Sequence, residues 1–574
     1  ADFIRTSKEW VKTHFLYSKV FLYKVQCFLS IPYEEIRVNS IIFKKKWRSS
    51  HMKKGYINCN IWRNPATAFA TSDEYIIKVG TNQEIEELLC NEGAEIVDLK
   101  GMFVVPGFVD SHMHLAELGM YLSNVVLDDC HSNEEVITKV KEKLATTKAG
   151  EWIIGRGYNE ESFPDHQKPT RKMLDEISTE VPIALTRACG HVLSANTAAL
   201  KAAGITEHTK VEGGNIDYEN GFVEENAINN IHNAYPQPDK EKIKEYIHIG
   251  ASYANQFGVT TVGSDDFLAV THDYKPVLRA FESLAFKQDM TVRVNEQCEF
   301  NNPKEFSKFL DDGYTFDVGD DYFRIGPLKL ITDGSLGART AYMKNAYADD
   351  PTTKGIASLE EDVIETYVRL ANQFNMPTIA HAIGDAALDN VLHVYKDTVL
   401  EGNPLHHGIV HCQIMRPDQI KQVLDQKLAC YFQSIFIDYD AQILASRVGK
   451  ELASTSYPYK TLLEGTLASN GSDAPVEMSN VLKGIECAVT RKSISYDACM
   501  NEAECLSVDE AIASFTTNGA KMLFMDHCIG AIQKGYYADF VVLEKDIRTI
   551  PVSSIHQTKV MLTVMDGNTV YSND

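Results

Sequence analysis

Apolar and polar residues alternate with a short period near the start of the readable chain. Tyr56 to Trp62 and Glu74 to Gly80 read as β-strands between polar turns, within a hairpin-like stretch from Gly55 to Lys100. Such strands need a second sheet to bury one face. Ala538 to Leu543, Lys559 to Val564 and Thr569 to Tyr571, which follow Gly530 to Gly535, supply it from the far end of the chain. Residues 52–102 and 528–574 are therefore expected to form one small composite β-sandwich.

Between these ends, short apolar runs alternate with helical stretches, the pattern of parallel β/α units. The runs are Phe103 to Asp110, Thr260 to Val262, Thr291 to Asn295, Arg324 to Ile331, Pro377 to Ala380, Gly408 to Val410, Ala429 to Phe432 and Leu467 to Ser469. Eight runs predict an α/β fold, a closed (β/α)₈ TIM barrel over residues 103–527. A large insertion, Leu115 to Gly258, follows the first strand. It carries its own helix, Ser132 to Thr147, and strand, Pro182 to Arg187, and is expected to cover the barrel mouth.

Composition narrows the partners. A formal net charge of -23 over 574 residues argues against nucleic acid or an anionic membrane and leaves a small-molecule substrate as the expected partner. The 12 cysteines are scattered, with no Cys-x-x-Cys pair, which fits reduced thiols in a cytoplasmic protein. His14 to Tyr33 is apolar, but Lys19 and Lys24 interrupt it, so it reads as neither signal peptide nor membrane span. Ala1 to His51 is basic, aromatic and unlike the remainder. With Met52 placed as a natural start, it reads as an extension foreign to the rest.

Chemistry concentrates where barrel strands end. Alternate strand residues share a face, so His112 and His114 after the first apolar run can point at one metal ion. Strand four carries Lys329 and Asp333, strand five ends in His381, strand six in His411, and strand eight leads into Asn470-Gly471-Ser472-Asp473. Each alone has an ordinary explanation as a core histidine or a turn aspartate. Together, four imidazoles and a carboxylate at one barrel mouth predict a divalent metal site, zinc first, with manganese or iron as alternatives.

The sequence resembles the amidohydrolase superfamily, in its YtcJ-like branch, which includes N-substituted formamide deformylases. The resemblance runs from about Gly55 onward. It rests on Pro106 to His114, Gly190-His191 with Asn196 to Leu200, Gly221 to Ala227, Asp333 to Thr340, His381 to Asp385 and Gly471 to Pro475. It implies a barrel with a composite sandwich and hydrolysis of a C-N bond by a metal-bound hydroxide. It also implies two metal ions, His112 and His114 binding the first with Asp473 and His381 and His411 the second, with Asp473 as proton shuttle. A bridging anion is implied too. Lys329, carbamylated by carbon dioxide, is the first choice, Glu225 competes, and a plain Lys329–Asp333 ion pair is the bland alternative.

His191, Glu225, Asp333 and Arg339 are candidates to orient substrate, and Asp385 is expected to cap a helix. Trp152, Tyr158 and Phe163 are either an apolar substrate wall or packing. The chain departs from the branch in having Val410 where Glu commonly precedes the strand-six histidine, and Phe163 where Trp is frequent. A homodimer is a family-level expectation. A non-catalytic assembly or regulatory relative, and a metal-dependent esterase or phosphoesterase, are the competing functional readings.

Overall fold

A computed structural model of the protein describes residues 52–90, 93–188 and 190–573. The expectations for Ala1 to His51, including the foreign extension and the apolar His14 to Tyr33, lie outside the described residues.

The first strands are β1 (Lys53–Ile57), β2 (Asn60–Ile61), β3 (Ala68–Ser72), β4 (Tyr75–Gly80), β5 (Glu95–Asp98) and β6 (Phe103–Pro106). The single run expected from Tyr56 to Trp62 is two strands. Asn58 takes a left-handed φ of 54° and turns the chain, so β1 joins a sheet ordered β4-β3-β1-β5 while β2 joins β6 in another. Tyr56 and Phe69 from one sheet stack on each other and meet Phe540 from the other edge-on, the aromatic centre of a separate small core.

The run Phe103 to Asp110 is likewise divided. The Gly107 amide donates to Asp539 O (2.9 Å), while the next amide, Phe108, donates to Gly258 O (3.0 Å). Consecutive residues are thus bonded into different sheets. β6 stays in the sandwich, and β7 (Phe108–Met113) is the first barrel strand.

The insertion contributes β8 (Val125–Val126), β9 (Ile153–Tyr158), β10 (Ile183–Arg187), β11 (Val192–Ala195), β12 (Gly214–Asp217) and β13 (Phe222–Glu225), in a sheet ordered β12-β13-β11-β10-β9-β8. Its expected helix spans Asn133–Leu144, capped by Ser132, whose hydroxyl accepts from the Glu135 amide. Tyr158 and Phe163 are buried in the insertion's own core with Leu127, Leu174 and Leu185, and Trp152 meets Tyr235 edge-on at 5.1 Å. All three are packing residues.

The chain returns to the barrel along the helix Lys240–Gln256, which lies against Leu115–Ser123. Glycine allows that approach, since a Cβ at Gly119 would sit 1.8 Å from Tyr246 O and one at Gly250 2.2 Å from Leu115 O.

The remaining barrel strands are β14 (Val259–Ser264), β15 (Arg293–Cys298), β16 (Phe323–Ile331), β17 (Thr378–Ala382), β18 (Gly408–His411), β19 (Ala429–Phe432) and β20 (Ala468–Asn470). With β7 they form an eight-stranded parallel sheet in sequential order. Just beyond their ends, β20 and β7 are joined: Asp473 N donates to His112 O (2.8 Å), and His114 N donates to Ala474 O (2.8 Å). The barrel is therefore all but closed, through bonds that also place site residues. Finally β21 (Phe540–Leu543), β22 (Val560–Met565) and β23 (Asn568–Ser572) complete a five-stranded sheet ordered β2-β6-β21-β22-β23. Among the described residues, no helix is long and apolar enough to cross a membrane.

Candidate metal centre

His112 lies on β7 and His114 just after it, as the alternation of strand side chains requires. Asp473 Oδ1 lies 3.3 Å from His112 Nε2 and 3.1 Å from His114 Nε2. Ligand atoms of His112, His411 and Asp473 all fall within 4.8 Å of one another. His381 Nδ1 lies 2.9 Å from His411 Nε2, and Lys329 Nζ lies 3.3 Å from His112 Nε2. All four histidines, Lys329 and Asp473 thus form one cluster at the C-terminal ends of the barrel strands, where such barrels place their chemistry.

The loop that presents Asp473 is clamped from β7. Asp110 accepts from Ser472 N (2.9 Å) and Ser472 Oγ (2.6 Å), and burial pushes its carboxyl up to about 7 against those bonds. Asp473 and His411 hold left-handed φ values of 59° and 81°. Non-glycine residues adopt that region at a cost, and it recurs where a side chain must be aimed.

Hydrogen bonds fix which ring nitrogens are free. Gln297 Nε2 donates to Ser111 O (2.9 Å), so its oxygen faces His112 and accepts from Nδ1 (2.6 Å). Gln433 Nε2 donates to Tyr431 O (3.1 Å), and its oxygen accepts from His411 Nδ1 (2.8 Å). His114 Nδ1 donates to Asp265 O (2.5 Å), and His381 Nε2 donates to Gly334 O (3.1 Å). The nitrogens left over, Nε2 of His112, His114 and His411 and Nδ1 of His381, face inward. His381 Nδ1 and His411 Nε2 then confront each other as two acceptors, and His112 and His114 Nε2 confront a carboxylate oxygen.

Such an arrangement calls for positive charge between the donors. Part of that demand is visible in the acid–base balance. Burial would lower His114, but the hydrogen bond to Asp473 and the nearby carboxylates of Asp265 and Glu117 raise it to about 10. Burial, reinforced by Lys329, pushes His112 down to about 4, and burial with the neighbouring His381 holds His411 well below the usual imidazole range. Asp473 is held well below the carboxylate range because its contacts with His112 and His114 outweigh its burial. His112 and His411, kept neutral, and an ionised carboxylate are donors that divalent metals take, and a metal ion would take the place of the proton that His114 shares with Asp473.

The other anticipated residues are placed differently. Asp333 is buried, and its carboxylate accepts from the amides of Ile383 (3.0 Å), Gly384 (2.7 Å) and Tyr342 (2.9 Å). It therefore braces the loops after strands four and five, and its Oδ1 lies 3.3 Å from His381 Nε2. Lys329 pairs with Asp265 (3.0 Å), not with Asp333, so the alternative of a Lys329–Asp333 ion pair falls away. Arg339 is engaged by Asp349 (3.1 and 3.0 Å), which also binds Arg447, so its guanidinium ties loops together. His191 and Glu225 pair at 3.0 Å on the insertion, with side chains 68% and 59% exposed. Asp385 does not cap its helix. It accepts from Lys344 N (2.9 Å) and Arg416 Nη1 (2.8 Å), and Gly384 occupies the cap position.

Three neighbours of the cluster escaped the sequence reading: Asp265, Gln297 and Gln433. Asp265 follows strand two, at a position the strand-end rule would have flagged, whereas the glutamines carry no charge to draw attention.

Comparison with known proteins agrees with this arrangement. The profile of the Amidohydrolase family matches residues 95–571. A Bacillus subtilis relative described as putative amidohydrolase YtcJ is 29% identical over 528 residues, covering 90% of this chain and 98% of the relative. The N-substituted formamide deformylase of Arthrobacter pascens is 25% identical, covering 88% and 94%. A crystal structure described as an uncharacterized metal-dependent hydrolase from Pyrococcus furiosus superposes with a TM-score of 0.74 at 28% identity, covering 87% of this chain and 100% of that one.

Proposed function

This chain belongs to the amidohydrolase family, and on that premise we propose that it is a metal-dependent hydrolase of a carbon–nitrogen bond in a small molecule. The bond class is an amide, N-formyl, carbamoyl or cyclic amide group, and the likeness to a formamide deformylase supports the N-formyl case. The observation that carries the reading is the convergence of inward-facing ring nitrogens of His112, His114, His381 and His411 around Asp473.

His112, His114 and Asp473 would hold one divalent ion, and His381 and His411 a second, with zinc the best match to the imidazole donors. Lys329, carbamylated on Nζ, would supply the remaining anionic ligand. Its burial beside His112 supports it over Glu225, which is exposed and paired with His191. A bound divalent ion supplies Lewis acidity, polarising the scissile carbonyl and acidifying water.

The remaining steps belong to the chain. Asp473, kept ionised in a dry setting, accepts the proton of the attacking water and passes it to the departing nitrogen, which must leave protonated. Gln297, Gln433 and the Asp265 and Gly334 carbonyls keep the rings aimed. The exposed His191–Glu225 pair is assigned to substrate orientation from the insertion. The described cysteines are free thiols, in keeping with a cytoplasmic setting.

The test is elemental analysis of protein purified without chelator or histidine tag, followed by a screen of amides and N-formyl amines. Two equivalents of metal per chain with turnover is the expected result. Metal-free protein that added metal does not activate would overturn the proposal. An intact mass heavier by one carbon dioxide would support the Lys329 bridge, and an unmodified lysine beside two bound ions would exclude it.

A further inference from the structure

The imidazole ligands are not held alike. His114 and His381 donate to backbone carbonyls, of Asp265 and Gly334, whose positions are set by the loops themselves. His112 and His411 instead donate to side-chain amides, Gln297 Oε1 at 2.6 Å and Gln433 Oε1 at 2.8 Å. Both glutamines are fully buried, and each amide is anchored at its other end, to Ser111 O and Tyr431 O. An anchored amide cannot turn its NH₂ toward the ring without giving up that bond and setting its oxygen against the carbonyl oxygen. The oxygen is therefore the amide atom that each Nδ1 meets. The imidazole must carry its proton on Nδ1 and offer Nε2.

We propose that Gln297 and Gln433 are positioning residues for metal binding, fixing the tautomer and aim of His112 and His411. The inference rests on the metal-dependent reading above. It adds two residues, on strand three and just after strand seven, that supply no ligand themselves. A neutral amide also differs from a carboxylate in this place, because it orients the ring without adding negative charge to the site.

The competing explanation is that each glutamine is a core polar group whose only task is to satisfy the Ser111 or Tyr431 carbonyl. A pair of substitutions at each position separates the two. Gln→Leu and Gln→Glu both delete the amide N–H and so lose the carbonyl anchor, but only leucine also deletes the acceptor facing histidine. Zinc affinity of the full chain is measured by competition with a chromophoric chelator, alongside the thermal unfolding midpoint of the metal-free protein.

Positioning predicts that Gln297→Leu and Gln433→Leu each weaken zinc binding by about 10–100-fold, while Gln297→Glu and Gln433→Glu stay within about threefold of the parent. The metal-free midpoints of each Leu and Glu pair should fall together. Equal zinc affinities of the Leu and Glu variants at a position, whether both unchanged or both reduced, overturn the inference for that residue. A parent protein that takes up no zinc instead sinks the metal reading, and this inference with it.

Discussion

At the N-terminal end of the barrel, Arg293 is buried with Asp539 and Asp566, which flank sandwich strands; at the C-terminal end, buried His112 and His411 and part-buried His114 and His381 gather with Lys329, Asp265 and Asp473. The first cluster is self-sufficient. Arg293 donates through Nε to Asp539 (2.8 Å), through Nη2 to Asp539 (3.2 Å) and Asp566, and through Nη1 to Asp321 O (2.9 Å), and it lies 3.9 Å over the Tyr537 ring. The second leaves acceptors facing acceptors. Burial of charge therefore does not distinguish structure from function here, whereas the state of the inward-facing lone pairs does.

Substitutions at the two ends should fail in different ways. His112→Ala is expected to abolish both metal retention and turnover, read by elemental analysis and a hydrolysis assay. Asp473→Asn should retain most of the metal and lose about 10³-fold or more in kcat, because the proton acceptor is gone. Native turnover by that variant would remove Asp473 from proton transfer. At the opposite end, Arg293→Met should destabilise the fold by about 3–5 kcal/mol in denaturant melts, leaving Asp539 and Asp566 buried without their cation. Its activity per folded molecule should match the parent; a loss of kcat without loss of stability would join the two ends.

The smallest expected effect sharpens the contrast at the loop after strand eight. Burial pushes Glu477 up to about 7, with Lys483 opposing and Asp438 and Asp440 adding. Folded, it stays protonated until about pH 7; unfolded, it ionises near 4.5. Its contribution to stability therefore declines as pH rises through that window and stays reduced above it. Glu477→Gln should raise the unfolding temperature at about pH 8 by on the order of 2 °C and leave it unchanged below about pH 4.

The barrel is legible in the chain because strands buried on both faces must be nearly continuous apolar runs, as Gly408–Val410 and Ala429–Phe432 are. What periodicity cannot show is a change of partner within a run. Nothing apolar distinguishes Val105 from Val109, yet Gly107 hands the chain from one sheet to another. The side chains of the cluster are similarly legible, since strand-end position and residue type together single out His112, His114, His381, His411, Lys329 and Asp473. The company they keep is not. Gln297 meets His112 across 185 residues, and Asp349 engages Arg339 through a loop contact that spacing does not reveal.

The sheet that combines β2 and β6 with β21, β22 and β23 bears on how the protein is made. Asn60 and Asp546, hydrogen-bonded at 3.0 Å, are 486 residues apart in sequence. During synthesis β6 emerges ahead of the barrel, yet its antiparallel partner β21 is translated only after it, so an apolar strand edge stays open while the barrel is made. A nascent chain lacking residues 540–572 is thus a template for wrong strand pairing, and β21, β22 and β23 act as its seal.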